Sequence, residues 1–320
     1  MKRKATVLLC VLLLVVAFTS TAMAQSEEEF IQQLTREGMT ASQMLEKANE
    51  KMSMFDTYKY HGTMNINTKV LVPIEEQQDI NMVIDQEGVY QKPQKAYTKS
   101  ITTMVNVGEE GLPTPPEQVS EALVEDGTMY IRTGETNQWM KLDLNPMMQE
   151  MESLFGKKDP ANVGMTKEQI EMFGMYASYD EDMQIEGKNY YVINVDVDKD
   201  AFKKIYQQTM KHMFKYFEEM GKQQNTDNDE AIPKFNSEEV QNQMEEMIEK
   251  MEMEVNYKFY IDKETKVYDV MEMTQTVNMS VEEVKTQSNT QGKYQYYDFN
   301  KDVDFPVINP EDIMEMPSIQ

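Results

Sequence analysis

Apolar residues recur at every second position in run after run of this chain, and that period most narrows the folds open to it. From Tyr58 onward, Met64, Ile66 and Val70 alternate with Asn65, Asn67 and Lys69, and Ile80, Met82 and Ile84 repeat the pattern. A two-residue period puts the apolar side chains of a strand on one face, so these runs predict antiparallel strands with one buried and one wet side. Another strand is expected from about Tyr97 to Val107, before an exposed loop at Pro113, Pro115 and Pro116. Then come Ala122 to Glu125, Thr128 to Thr133 and Gln138 to Leu144. The first two are joined by Asp126 and Gly127, which tolerate positive φ and favour a tight hairpin. A hairpin at Glu186 to Lys188 precedes Tyr191, Ile193, Val195 and Val197. Tyr257, Phe259 and Ile261 turn through Asp262 to Thr265 into Val267, Met271, Met273, Val277 and Met279. A last strand around Tyr294 to Phe299 leads into a tail punctuated by Pro306, Pro310 and Pro317.

Helical spacing interrupts this pattern. Thr40 and Gln43 match a capping box, and Leu45, Ala48, Met52 and Phe55 follow on one face. Short Met-rich helices are expected near Met147 to Phe155 and Lys167 to Met175. Two longer ones carry the stripes Phe202, Ile205, Tyr206, Thr209, Met213, Phe217, Met220 and Val240, Met244, Met247, Met251, with a polar loop from Gln223 to Glu230 between them. The fold class that fits is α+β: a strongly curved antiparallel β-sheet, an open half-barrel, with helices covering its concave face. The expected division is a signal peptide at 1–24, a flexible segment at 25–39, one domain at 40–310 and a tail at 311–320.

The leader is read from Lys2, Arg3 and Lys4, the uncharged apolar run from Ala5 to Phe18, and Ala22-Met23-Ala24, the small-x-small pattern of a signal peptidase site. The apolar run is shorter than a bilayer span. The expectation is therefore a secreted, extracytoplasmic protein cleaved after Ala24. Its sole cysteine, Cys10, lies inside the leader, too early to accept a lipid at the cleavage point. Without disulfides the remaining chain must rely on a hydrophobic core.

Acidic residues outnumber basic ones 56 to 31, for a net charge of −25. Nucleic acid is excluded as a partner, because phosphate binding needs a basic surface. With only His61 and His212, and no thiol beyond the leader, cysteine nucleophiles and zinc sites of Cys and His are starved of ligands. Neither a Gly-x-Ser-x-Gly elbow nor a Gly-rich phosphate loop is present, so no enzyme and no cofactor are expected. Methionine is the oddity, at 30 against 13 leucines. Met210, His212 and Met213 offer soft ligands on adjoining helical turns, so an extracytoplasmic copper(I) binder is one reading. The other is that methionine replaces leucine in the core, since Met271 and Met273 share a strand face with Val267 and Val277.

The order of elements resembles the LolA and LppX-like superfamily of exported lipid and lipoprotein carriers, in its secreted Gram-positive branch. The residues that carry the resemblance are Asp126 to Ile131 with Trp139 eight positions on, the hairpin Tyr257 to Thr265, and the closing run Tyr297 to Pro306. The resemblance implies an open half-barrel lidded by helices, holding acyl chains between the two layers, with no catalytic residue. It implies a hydrophobic small molecule or lipid as partner, with a cell-envelope protein, bound or sensed on the same fold, as the second class. The expected lining is Met64, Ile66, Met82, Ile84, Met129, Ile131, Met271 and Met273, roofed by Phe217 and Met247. Unbranched, polarizable methionine suits a surface that must accept variable chains.

Overall fold

A computed structural model joins the alternating segments into one open sheet of 13 strands. The structure describes residues 35–71, 78–105, 115–134, 138–145, 174–205, 250–281 and 284–315. The leader, the helix at 147–155, nearly all of that at 167–175, and the helical stripes beyond Ile205 and up to Met247 lie outside the described residues.

Helix α1 (Ala41–Ser53) opens on Thr40, whose hydroxyl accepts from the Gln43 N–H while the Gln43 side chain accepts from the Thr40 N–H. This is the reciprocal cap expected from the sequence. The strands are β1 (Thr57–Leu71), β2 (Gln78–Gln91), β3 (Lys95–Val105), β4 (Gln118–Glu125), β5 (Thr128–Thr133), β6 (Trp139–Asp143) and β7 (Met175–Tyr179). They continue with β8 (Met183–Ile185), β9 (Lys188–Val197), β10 (Glu252–Asp262), β11 (Tyr268–Val281), β12 (Val284–Tyr297) and β13 (Ile313–Glu315). Their order across the sheet is β13-β6-β5-β4-β3-β2-β1-β12-β11-β10-β9-β7, with β8 also paired to β9.

Turn chemistry behaves as its residues require. Asp126 and Gly127 have φ of 49° and 74°, and Glu186 and Gly187 have 50° and 85°, the double positive φ of tight hairpins. The Asp262 carboxylate accepts from the Glu264 and Thr265 N–H groups and so closes the β10–β11 turn.

Three expectations are corrected. The sheet is mixed, because β13 pairs parallel with β6, so the segment read as a tail adds a strand at one edge. Met175 begins β7 instead of ending a helix, after Gly174 turns the chain at φ 60°. β12 starts at Val284 instead of near Tyr294, because its inward side chains Thr286, Ser288 and Thr290 are small and polar and hide the alternation.

β1 lies between β2 and β12, and two glycines there have no room for a side chain. A Cβ on Gly62 would stand 2.3 Å from the Tyr294 ring, and one on Gly88 2.4 Å from the Tyr60 ring. Both rings lie across the neighbouring strand. The Tyr294 hydroxyl donates to Gln86 Oε1 at 2.9 Å, and the Tyr60 hydroxyl bonds to Thr98. Gly62→Ala and Gly88→Ala should each destabilise the fold by about 1–3 kcal/mol through overpacking. The measurement is urea unfolding; an unchanged midpoint in both variants would show that the rings are not held against the strands.

Candidate functional site

Residues directly opposite across a ladder share a face, so the pairing register fixes which side chains lie together. Met64 pairs with Ile84 and Ile66 with Met82 across β1–β2. Through Gly292, Met64 is aligned with Met273, and Met271 lies next along β11. The face continues through β3 and β4 to Ala122 opposite Ile131 and Val124 opposite Met129. All eight described residues of the expected lining therefore occupy one face, called inner below. Met64, Ile66, Met82, Ile84, Met271 and Met273 are buried, while Met129 and Ile131 are half-buried. Phe217 and Met247, like Met210, His212 and Met213, lie outside the described residues.

α1 lies on this face. Its buried residues Met44, Leu45, Ala48 and Met52 form one core with Met64, Ile193, Phe259, Ile261 and Met271. Both of its ends are tied. At the start, the Tyr179 hydroxyl donates to the carbonyls of Met39 and Thr40, Arg36 pairs with Asp182 at 3.3 Å, and Glu37 accepts from Lys266 at 2.7 Å. At the end, Phe55 stacks on Phe299 with ring centres 4.4 Å apart.

Beneath α1 an aromatic row crosses the sheet: Tyr90 on Tyr58 at 4.9 Å, Tyr58 against Tyr296 at 5.9 Å, Tyr296 against Tyr268 at 5.7 Å, and Tyr268 against Phe259 at 5.3 Å. Several inner-face tyrosines are desolvated yet keep some accessible surface. Burial pushes the Tyr257 hydroxyl up to about 12 and raises those of Tyr60 and Tyr296, yet all three side chains keep accessible surface.

Toward the far edge the inner face crosses the hydroxyls of Thr98, Ser100 and Thr102 on β3 and becomes apolar on β4–β6, where the side chains are more exposed. Ala122, Val124, Met129, Ile131 and Leu142 are half-buried, Met140 is 37% exposed, and Met314 of β13, aligned with Met140, is 50% exposed. Among the described strand residues that the register places on the inner face, none is charged. Polar groups there are hydroxyls and amides, such as Thr68 and Ser288, 3.0 Å apart, and Gln275 against the Met253 sulfur. Among the described residues, no three His, Cys, Asp or Glu side chains are grouped as a metal site, and no helix is long and apolar enough to cross a membrane.

A family of unknown function, DUF6612, matches residues 40–235, more than half of the chain. The chain belongs to the DUF6612 family. No curated protein matches this DUF6612 member. Its structural neighbours include the lipoprotein LppX of Mycobacterium tuberculosis, at 7% identity and TM-score 0.32, covering 82% of this chain and 95% of that one. A LolA superfamily protein of Nitrosomonas europaea is similar at 11% identity and TM-score 0.19, covering 84% and 96%. At such scores the likeness says nothing of a ligand.

Asn49, Tyr60 and Tyr296 were not among the residues singled out in the sequence. Asn49 had a signal, as a polar side chain inside the apolar stripe of a helix. The tyrosines had none, since alternation marks a buried face and not where its hydroxyls lie.

The raised tyrosine hydroxyls give a pH dependence. Their folded values lie above the ordinary value near 10, so their contribution to stability is intact below that pH. It is lost as pH climbs toward the folded values, because the unfolded chain gives up its protons first. Tyrosinate absorbance should show a group of tyrosines that ionise only together with unfolding, well above pH 10; smooth titration of all of them in the folded state would contradict this burial.

Proposed function

We propose that this is an exported, non-catalytic binding protein that holds a hydrophobic molecule, a lipid or lipid-linked moiety, between the inner face of a curved sheet and the helices laid on it. The observation that carries the reading is the uncharged inner face, which passes without interruption from a closed core under α1 to a half-exposed apolar band on β4–β6. Each acyl methylene buried there is worth about 0.8 kcal/mol. About eight of them would supply roughly 6 kcal/mol before ordering costs are subtracted.

Methionines at 64, 82, 129, 140, 271 and 273 give the face a lining that changes shape cheaply. Binding is passive. Because α1 is held at both ends, the ligand gains access from the β4–β6 side, where cover is thin, and not by lifting α1. The extracytoplasmic location rests on the leader and its cleavage pattern after Ala24.

The test is native mass spectrometry of the purified protein after incubation with a lipid extract. Retained lipid supports the reading, and no apolar ligand at any stoichiometry sinks it. Ile131→Glu and Met140→Glu should each lower retention about tenfold. Met140→Glu should leave the melting temperature nearly unchanged, since that side chain is already exposed.

A further inference from the structure

Four methionines are exposed among the described residues, and two of them lie side by side on the inner face. Met140 is 37% exposed and Met314 50%, and the parallel pairing of β13 with β6 sets the two opposite each other. Met129, half-buried, stands diagonal to Met140, since Ile131 is opposite Met140 and Leu142 opposite Met129. The other two exposed methionines lie elsewhere. Met54, 63% exposed, caps the end of α1, and Met183, 46% exposed, pairs with Tyr190 on the opposite side of the sheet.

A thioether needs no proton removed and no neighbouring base to react with a peroxide, so access to its sulfur decides which methionine is oxidised. The sulfur lone pair bonds to one peroxide oxygen and the O–O bond breaks. That oxygen's proton passes to the departing hydroxide, which leaves as water; the sulfur has lost two electrons and the peroxide has gained them. Thiols do not compete, because the one cysteine, Cys10, lies inside the leader. Deeper on the same face, Met64, Met82, Met271 and Met273 are at most 3% exposed and out of the oxidant's reach while the chain is folded. Oxidation of this face therefore begins at the β6–β13 rim and stops short of the core.

We infer that Met140 and Met314 are a modification site, a pair of thioethers whose oxidation by a peroxide to sulfoxides turns the exposed rim of the apolar face from accepting a lipid to rejecting it. This rests on the lipid-binding reading above and adds its regulation. Each sulfoxide carries a strong acceptor oxygen where an acyl chain would lie against a thioether, and hydrocarbon laid over it strips its water without replacing the hydrogen bonds. Both side chains are already exposed and β13 is held to β6 through its backbone, so the change acts on binding and leaves the fold intact. Reduction of the sulfoxides back to thioethers restores the original surface.

The experiment treats the full chain with increasing doses of hydrogen peroxide, removes the excess with catalase, and reads the oxygen gained at each methionine by peptide mapping. The same samples are then incubated with vesicles of dioleoylphosphatidylcholine and dioleoylglycerol, and bound lipid is counted by native mass spectrometry. At the dose that converts Met140 and Met314 but spares Met64, Met82, Met271 and Met273, wild type should hold about tenfold less lipid and melt at nearly the same temperature. Met140→Leu combined with Met314→Leu, compared with its own untreated sample, should keep its lipid at that dose. Met54→Leu combined with Met183→Leu should lose lipid as wild type does. Conversion of Met64 or Met273 as early as Met140, unchanged retention by oxidised wild type, or an equal loss in the Met140 and Met314 double variant overturns the switch and leaves the lipid-binding reading standing. Retention of nothing by untreated wild type, from these vesicles or from a lipid extract, overturns both.

Discussion

The pairing of β1 with β12 is the constraint on which the molecule depends. It runs from Lys59 opposite Tyr297 to Leu71 opposite Lys285 and so joins the two ends of the chain in the middle of the sheet. α1 enters this ladder and the C-terminal segment leaves it at the same end, where Phe55 stacks on Phe299, so its register helps place both the cover on the inner face and the strand at the far edge. A slip of one residue would turn Met64 and Ile66 outward. The tyrosine rings guard against that slip: Tyr294 fits over Gly62 and Tyr60 over Gly88, and any other alignment sets a ring against a side chain.

Much of this was legible in the residues. The capping box of α1, the hairpins at Asp126-Gly127 and Glu186-Gly187, and the inward sets Met64/Ile66, Met82/Ile84 and Met271/Met273 follow from turn chemistry and alternation alone. What stayed hidden has physical causes. β12 pairs through its backbone and presents small hydroxyl side chains inward, so no hydrophobic period marks its first half. β13 is three residues long and has no room for a period. The accessible tyrosines depend on what fails to cover them, which is a property of three dimensions.

The candidate site owes its character to a separation of charge. The chain carries 56 acidic residues, yet the described inner face of the sheet has none; the described ones stand on the opposite face, in turns and on the outer side of α1. Such a partition leaves apolar contact as the means of attraction inside and makes each inward polar atom informative. Asn49 stands out for that reason, as do the paired hydroxyls of Thr68 and Ser288.

An open sheet this wide has two rims where unpaired backbone invites a neighbouring chain to add on and propagate as a fibre. The β7–β8 rim is interrupted: the register with β9 shifts by one residue between Tyr179 opposite Ile193 and Met183 opposite Tyr190, and Asp180, Glu181 and Asp182 fill the break. The other rim ends in the three-residue β13, whose parallel run is too short to template a second strand securely. Wide as it is, the described sheet thus ends on both sides in a strand too short or too broken to offer a long, regular edge.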